Sequence, residues 1–310
     1  MRAAAIVPYG MAPCTPAASS LRPSAADGAP LYSGTYAASD GRVRSAVERC
    51  GRMSFVFIDS EGVLLNVVTW GTSGRPAFVA HGGWVGNWEL WQEPFRIMQP
   101  RWHCVSYDHR GSGATSATAE QISPRSLVTD LIRVLDHLQI SRCVLAGESM
   151  GALPCMTAAI DYPERVAGLV LVDGTPAARG AEALIDGSRT DFRATVTWFV
   201  DACVPEPDSE HIRRWGRQIL LRADGEAAAR ILESHAEETV APAAEKIEAP
   251  TLLIHGDQDA IVPLAAAKEL AGRIPKSTLV TLPDTGHVPT LTRPNEVVHA
   301  IETWWNSRPV

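Results

Sequence analysis

The chain has 310 residues, of which 45% are hydrophobic and 20% charged, and a formal net charge of −7. This is an ordinary globular composition with ample material for a core, enough for one large α/β domain or two small ones. The acidic balance, with no basic cluster to offset it, argues against nucleic acid, and no apolar run approaches the ~18 residues of a membrane span.

Six cysteines (Cys14, Cys50, Cys104, Cys143, Cys155 and Cys203) are scattered with no C-x-x-C pair. That is reduced-compartment usage, and it implies no zinc site. Ala3 to Met11 is broken by Pro8 and Gly10 before an apolar stretch forms. No signal peptide is therefore expected, and the reading is a cytoplasmic protein. Residues 1–50, with Pro8, Pro13, Pro16, Pro23 and Pro30 among many Ala, Ser and Gly, hold no sustained period and are expected to form a flexible N-terminal extension. Three readings stand for it: a regulatory or oligomerisation arm, a leader without a role, or residues upstream of the natural start, because Met53 opens the first patterned segment.

From Met53 onward strands and helices alternate. Ser54 to Asp59 and Val63 to Trp70 read as strands joined by a hairpin signal at Ser60-Glu61-Gly62. Pro76 to His81 is a third strand, Glu89 to Met98 a helix, and His103 to Asp108 a fourth strand. Leu127, Leu131, Val134, Leu135 and Leu138 fall at helical spacing within Ser126 to Leu138. Cys143 to Ala146 and Val166 to Val172 are apolar strands, the latter ending at Asp173. Residues 175–248 break the alternation and are mostly helical in pattern. The alternation resumes with a strand at Thr251 to His255, a helix at Leu264 to Ile274, a strand at Ser277 to Leu282 and a final helix from about Asn295 to Ser307. The expected fold class is α/β, with a mostly parallel central sheet flanked by helices. The core is expected at 51–174 and 249–310, with 175–248 lying above the C-terminal strand ends where open α/β sheets bind ligands.

Gly147-Glu148-Ser149-Met150-Gly151 stands between the fifth strand and a helix spanning Leu153 to Ile160. Strand, sharp turn and helix form the context in which G-x-S-x-G presents a nucleophilic serine. The glycines on either side let strand and helix approach each other, and the Met150 amide is placed to donate to a developing oxyanion. A serine hydroxyl needs a base, and the base needs a carboxylate to fix its tautomer. Of nine histidines, His287 lies in a loop just past the last strand and is the candidate base. His81, His109 and His255 sit at strand ends and read as structural hydrogen-bonders. For the carboxylate, Asp259, third after Gly256 in Gly256-Asp257-Gln258-Asp259, clears its turn, whereas Asp257 suits its own turn backbone. Asp173 remains an alternative. The second oxyanion donor is expected from His81-Gly82-Gly83-Trp84, with Gly83 the candidate, although His-Gly-Gly in isolation can be a mere flexible turn.

These motifs together resemble the α/β-hydrolase fold family over about residues 53–308, in the chain order Ser…Asp…His that goes with it. The resemblance implies that 175–248 is a helical cap inserted after the sixth core strand, and that Asp108-His109-Arg110-Gly111-Ser112-Gly113 supports the oxyanion loop. Serine at the nucleophile position, where haloalkane dehalogenases and epoxide hydrolases carry aspartate, argues against both activities. Trp84, where proline iminopeptidases show Pro, argues against peptidase activity. Glu148 is assigned no chemistry, though its acid could touch the pocket floor.

The expected function is a serine hydrolase that cleaves a carboxylic ester or lactone of a small, largely apolar substrate through an acyl-enzyme. Alternatives are a C–C bond hydrolase on the same triad and a non-hydrolytic binding or cyclase role. Trp84 and Trp198 are the candidate substrate-binding residues; the competing reading of Trp84, Trp88 and Trp91 is a helical stripe against the core. No metal or organic cofactor is implied, because the triad generates its own nucleophile. The expected partner is a small-molecule substrate, with the chain a monomer or homodimer.

Overall fold

Apolar strand segments and amphipathic helices alternate along this chain, and in the computed structural model they assemble into one eight-stranded sheet with helices on both faces. The structure describes residues 53–174, 180–237 and 241–308. The N-terminal extension expected at 1–50 lies outside the described residues.

The strands are β1 (Ser54–Ser60), β2 (Val63–Trp70), β3 (Ala77–His81), β4 (His103–Tyr107), β5 (Cys143–Glu148), β6 (Val166–Val172), β7 (Thr251–Gly256) and β8 (Ser277–Leu282). Their order in the sheet is β1-β2-β4-β3-β5-β6-β7-β8. β1 pairs antiparallel with β2, and β2 with β4, and every later pairing is parallel. β3, β5 and β7 are buried along their whole length, which is why their sequences are apolar throughout rather than alternating. Side chains on the two faces feed two separate cores. Phe78, Val144, Val170 and Ile254 enter one, while Val79, Leu145, Leu171 and Leu253 enter the other.

The helices are α1 (Gln92–Met98), α2 (Pro124–His137), α3 (Ala152–Asp161), α4 (Glu182–Thr190), α5 (Phe192–Cys203), α6 (Glu210–Leu220), α7 (Gly225–Glu237), α8 (Leu264–Arg273), α9 (Pro289–Thr292) and α10 (Pro294–Asn306). α2 starts two residues before the apolar spacing predicts. Ser123 caps it by accepting from the Ser126 amide at 3.1 Å, and Pro124 occupies the first turn where no donor is needed. The predicted helix at Glu89 to Met98 is split: a tight turn at Trp88–Trp91, capped by Asn87, precedes α1. α4 to α7 form the insertion between β6 and β7.

The connection from β3 leads to β4 on one side, whereas the connection from β4 crosses back to place β5 on the other side of β3. This reversal between β3 and β5 opens a crevice at their C-terminal ends, the place where open α/β sheets bind ligands. Among the described residues no helix is long and apolar enough to cross a membrane.

Candidate active site

Ser149 stands directly past the end of β5 with φ +52°, in the left-handed region that an L-residue adopts only under constraint. The flanking glycines are required by close approach. A Cβ on Gly147 would come to 2.4 Å from the Gly151 carbonyl oxygen, and one on Gly151 to 2.5 Å from that of Gly82. Strand, turn and the loop after β3 are thus packed backbone to backbone around the serine.

His287 is brought to Ser149 from the loop after β8. The Ser149 hydroxyl lies 2.8 Å from His287 Nε2, and His287 Nδ1 lies 2.7 Å from Asp259 Oδ2. An Nδ1–H donated to the carboxylate leaves the Nε2 lone pair facing the hydroxyl, the tautomer a general base needs. Asp259 stands in the loop after β7, and its Oδ1 accepts from the amides of Ile261 and Val262 at 2.8 and 2.9 Å. Burial pushes its carboxyl up, but His287, His255 and the Val262 amide outweigh that and hold it well below the usual carboxylate range.

Asp173, the alternative acid, does not reach His287. Its Oδ1 accepts from the Gly256 amide at 2.9 Å, and its other oxygen is buried without a partner. Burial first, and the Asp259 charge second, push its carboxyl well above the usual range, so of the two acids Asp173 is the one held toward its protonated form. Asp173, His255 and Asp259 are close enough together to ligate an ion. Their atoms are already engaged with one another and with the protein: His255 Nε2 lies 2.8 Å from the Val262 carbonyl oxygen and 3.3 Å from Asp259 Oδ2.

The loop after β3 lies against the elbow. A Cβ on Gly83 would fall 2.8 Å from Ser149 Cβ, so the Gly83 amide is beside the hydroxyl-bearing residue. Asp108 braces this loop, accepting from the Trp88 amide at 3.1 Å and the Ala114 amide at 2.8 Å. Arg110 is a structural partner of Asp130, through two bonds of 2.8 and 2.9 Å. His81 and His109 stack at 4.8 Å beneath the loop.

A small cavity opens on Ser149 and His287. Its wall is almost entirely apolar: Trp84, Leu90, Phe199, Leu220 and Val288, with Glu148 the added acid. Trp84 is held by donation from its Nε1 to the Ala228 carbonyl in α7 at 3.0 Å. Trp88 and Trp91 pack instead into the aromatic core, against Trp70 and Phe78. Trp198, expected in the pocket, is not there. It is 61% exposed on α5, while its neighbour Phe199 faces inward. Successive helical residues are turned about 100° apart, so only one of the two can face the cavity.

One contributor, Glu206, is not marked in the sequence. Glu206, after α5, is buried and accepts from the Gly286 amide at 3.0 Å, and the His287 amide donates to the Cys203 carbonyl at 2.8 Å. The insertion therefore grips the loop that carries His287. No periodicity marks Glu206. Glu148, whose acid the sequence puts within reach of the pocket floor without assigning it chemistry, does line the cavity: it is 2% exposed, with Oε2 accepting from the Gly83 amide at 3.1 Å.

The fold and this serine–histidine–aspartate line define an enzyme built as a hydrolase on an α/β sheet. The chain belongs to the alpha/beta hydrolase family, whose model matches residues 77–300, and it is an enzyme of the esterase and lactonase type. It is 31% identical over 255 residues to 3-oxoadipate enol-lactonase 2 of Acinetobacter baylyi, covering 79% of this chain and 94% of that relative. With the pimeloyl-[acyl-carrier protein] methyl ester esterase of Nitrosomonas europaea it shares 28% identity, over 74% of this chain and 96% of that one. The crystal structure of the enol-lactonase from Burkholderia xenovorans superimposes with a TM-score of 0.77 at 20% identity, over 81% of this chain and all of that chain, a likeness of fold.

Proposed function

We propose that this hydrolase cleaves a carboxylic ester or lactone of a small, largely apolar substrate by acyl transfer through Ser149. The observation that carries the reading is the unbroken hydrogen-bonded line from Ser149 through His287 to Asp259, opening on an apolar cavity. Ser149 Oγ attacks the carbonyl carbon while His287 Nε2 takes its proton. Asp259 stabilises the imidazolium, and the amides of Met150 and Gly83 receive the oxyanion. Collapse expels the alcohol oxygen, which takes the proton back from His287. Water, deprotonated by the same nitrogen, then attacks the acyl-enzyme and releases the acid together with free Ser149. With a lactone, the alcohol and the acid are two ends of one product.

The cavity is small and closed in by large apolar side chains, which supports a compact substrate. Its apolar wall supports a substrate whose polar atoms are confined to the reacting group. The relatives named as an enol-lactonase and a methyl ester esterase support the same bond class.

The test combines active-site labelling by a fluorophosphonate with turnover of a panel of chromogenic esters and lactones. Wild type is expected to be labelled and to turn over at least one panel member, and Ser149→Ala to do neither. Folded wild type that resists the probe and every ester would count against the reading and favour a non-hydrolytic role.

A further inference from the structure

The cavity that receives the acyl group contains one side chain the mechanism above does not use. Glu148 lines it together with Ser149 and His287, and is buried there in an apolar wall. Its Oε2 sits 3.1 Å from the Gly83 amide nitrogen, the donor that the acyl-transfer reading assigns to the oxyanion. A backbone N–H carries one proton, and a carboxyl oxygen at hydrogen-bonding distance stands where a substrate's carbonyl oxygen would have to stand.

We propose that Glu148 is an internal occupant of the oxyanion site: its carboxyl holds the Gly83 amide while the cavity is empty, yields it to the substrate's carbonyl oxygen on binding, and permits turnover only in its protonated form. The inference rests on the acyl-transfer reading of Ser149. Its physical basis is a difference between the two forms of one group. An ionised carboxylate holds the amide by a charge-assisted bond, roughly twice as strong as a neutral one, and opposes a second negative charge developing beside it. A neutral carboxyl gives up the amide more easily, and its own O–H becomes a donor that can turn to the substrate oxygen.

The surroundings permit the neutral form near neutrality. Burial is the largest influence and raises this carboxyl. His287 and the Gly83 amide pull it down, Asp259 pushes it up, and the balance lies at about 7. The other ionisable groups that face it are Asp173 past β6 and the Cys203 thiol at the end of α5. Burial also raises both of these, which favours their neutral forms; Asp259 is the negative charge that acts on Glu148 itself, while Glu206 acts on Asp173 and Cys203.

The experiment measures the rate of fluorophosphonate labelling of the full chain as a function of pH for wild type, Glu148→Gln and Glu148→Ala, since the phosphoryl oxygen of the probe must take the same amides. Wild-type labelling is expected to fall by about tenfold per pH unit above about 7, as the neutral fraction falls. Both variants are expected to lose that alkaline limb, so that near pH 9 each folded variant labels about 100-fold faster than wild type. Infrared difference spectra of wild type with and without the bound phosphonate supply a readout that needs no variant. A carboxyl band that shifts when the probe enters is expected, because the group changes partner. Parallel pH profiles in all three proteins, or a carboxyl band unchanged by the probe, would overturn the inference and leave the serine hydrolase standing. Absence of labelling in every protein at every pH would remove the acyl-transfer reading, and this inference with it.

Discussion

At the scale of single residues, the site separates two carboxylates that the chain places at neighbouring strand ends. Asp259 is bonded to His287, which favours its ionised form, while burial and the charge of Asp259 favour the protonated form of Asp173. Their substitutions should therefore differ sharply. Asp259→Asn leaves a side chain that can present an N–H to Nδ1, which favours the wrong tautomer, and kcat is expected to fall about 10⁴-fold. Asp173→Asn keeps an oxygen that can accept from the Gly256 amide and alters a group that does not bond His287, and kcat is expected to stay within about threefold of wild type. Steady-state rates on any ester the enzyme turns over decide the comparison.

The elements impose the next level of order, because side chains from four connections must converge. The end of α5 holds the His287 loop through the Cys203 carbonyl and the Glu206 carboxylate. Glu206→Ala removes the acceptor of a buried amide and frees this loop. It is expected to lower kcat by about tenfold with little change in KM, whereas Glu206→Gln keeps an acceptor and restores most of the rate. The two tryptophans expected at the pocket, Trp84 and Trp198, differ here. Trp84→Ala deletes cavity wall and a buried hydrogen bond. It is expected to cost about 3–5 kcal/mol in urea denaturation and to raise KM. Trp198→Ala removes an exposed ring and is expected to change stability by no more than about 0.5 kcal/mol and the kinetics not at all.

Across the whole molecule, the site costs stability that can be measured by titration. Folded Glu148 keeps its proton up to about 7, whereas the ordinary value is 4.5. Between those limits the folded state binds more protons than the unfolded state, so this group makes stability fall as pH rises. The sum over the window is at most roughly 3 kcal/mol. Urea denaturation of wild type and Glu148→Gln near pH 5 and near pH 8 reads it: the variant is expected to gain on wild type at the higher pH. An equal pH response in the two proteins would mean that Glu148 does not titrate in that window.

The sequence by itself determined the strand–helix alternation and the nature of the elbow, because both are written in local terms. Buried parallel strands must be apolar throughout, and strand and helix can meet behind Ser149 only if Gly147 and Gly151 carry no side chain. It also brought Asp259 and His287 forward as candidates, since each follows a legible strand and lies in a turn at its end. What only the tertiary structure decided depends on contacts between residues far apart in the chain. The choice of Asp259 over Asp173 came from which carboxylate the 28-residue separation to His287 folds back upon. The exchange of Trp198 for Phe199 came from the rotation of α5 about its own axis, which spacing in a short helix leaves undetermined. The position of Glu148 over the Gly83 amide, a contact 65 residues apart in sequence, came from the reversal of strand order between β3 and β5. Local patterns fix what each element is; only packing fixes which of its side chains face a cavity and what charge they can hold there.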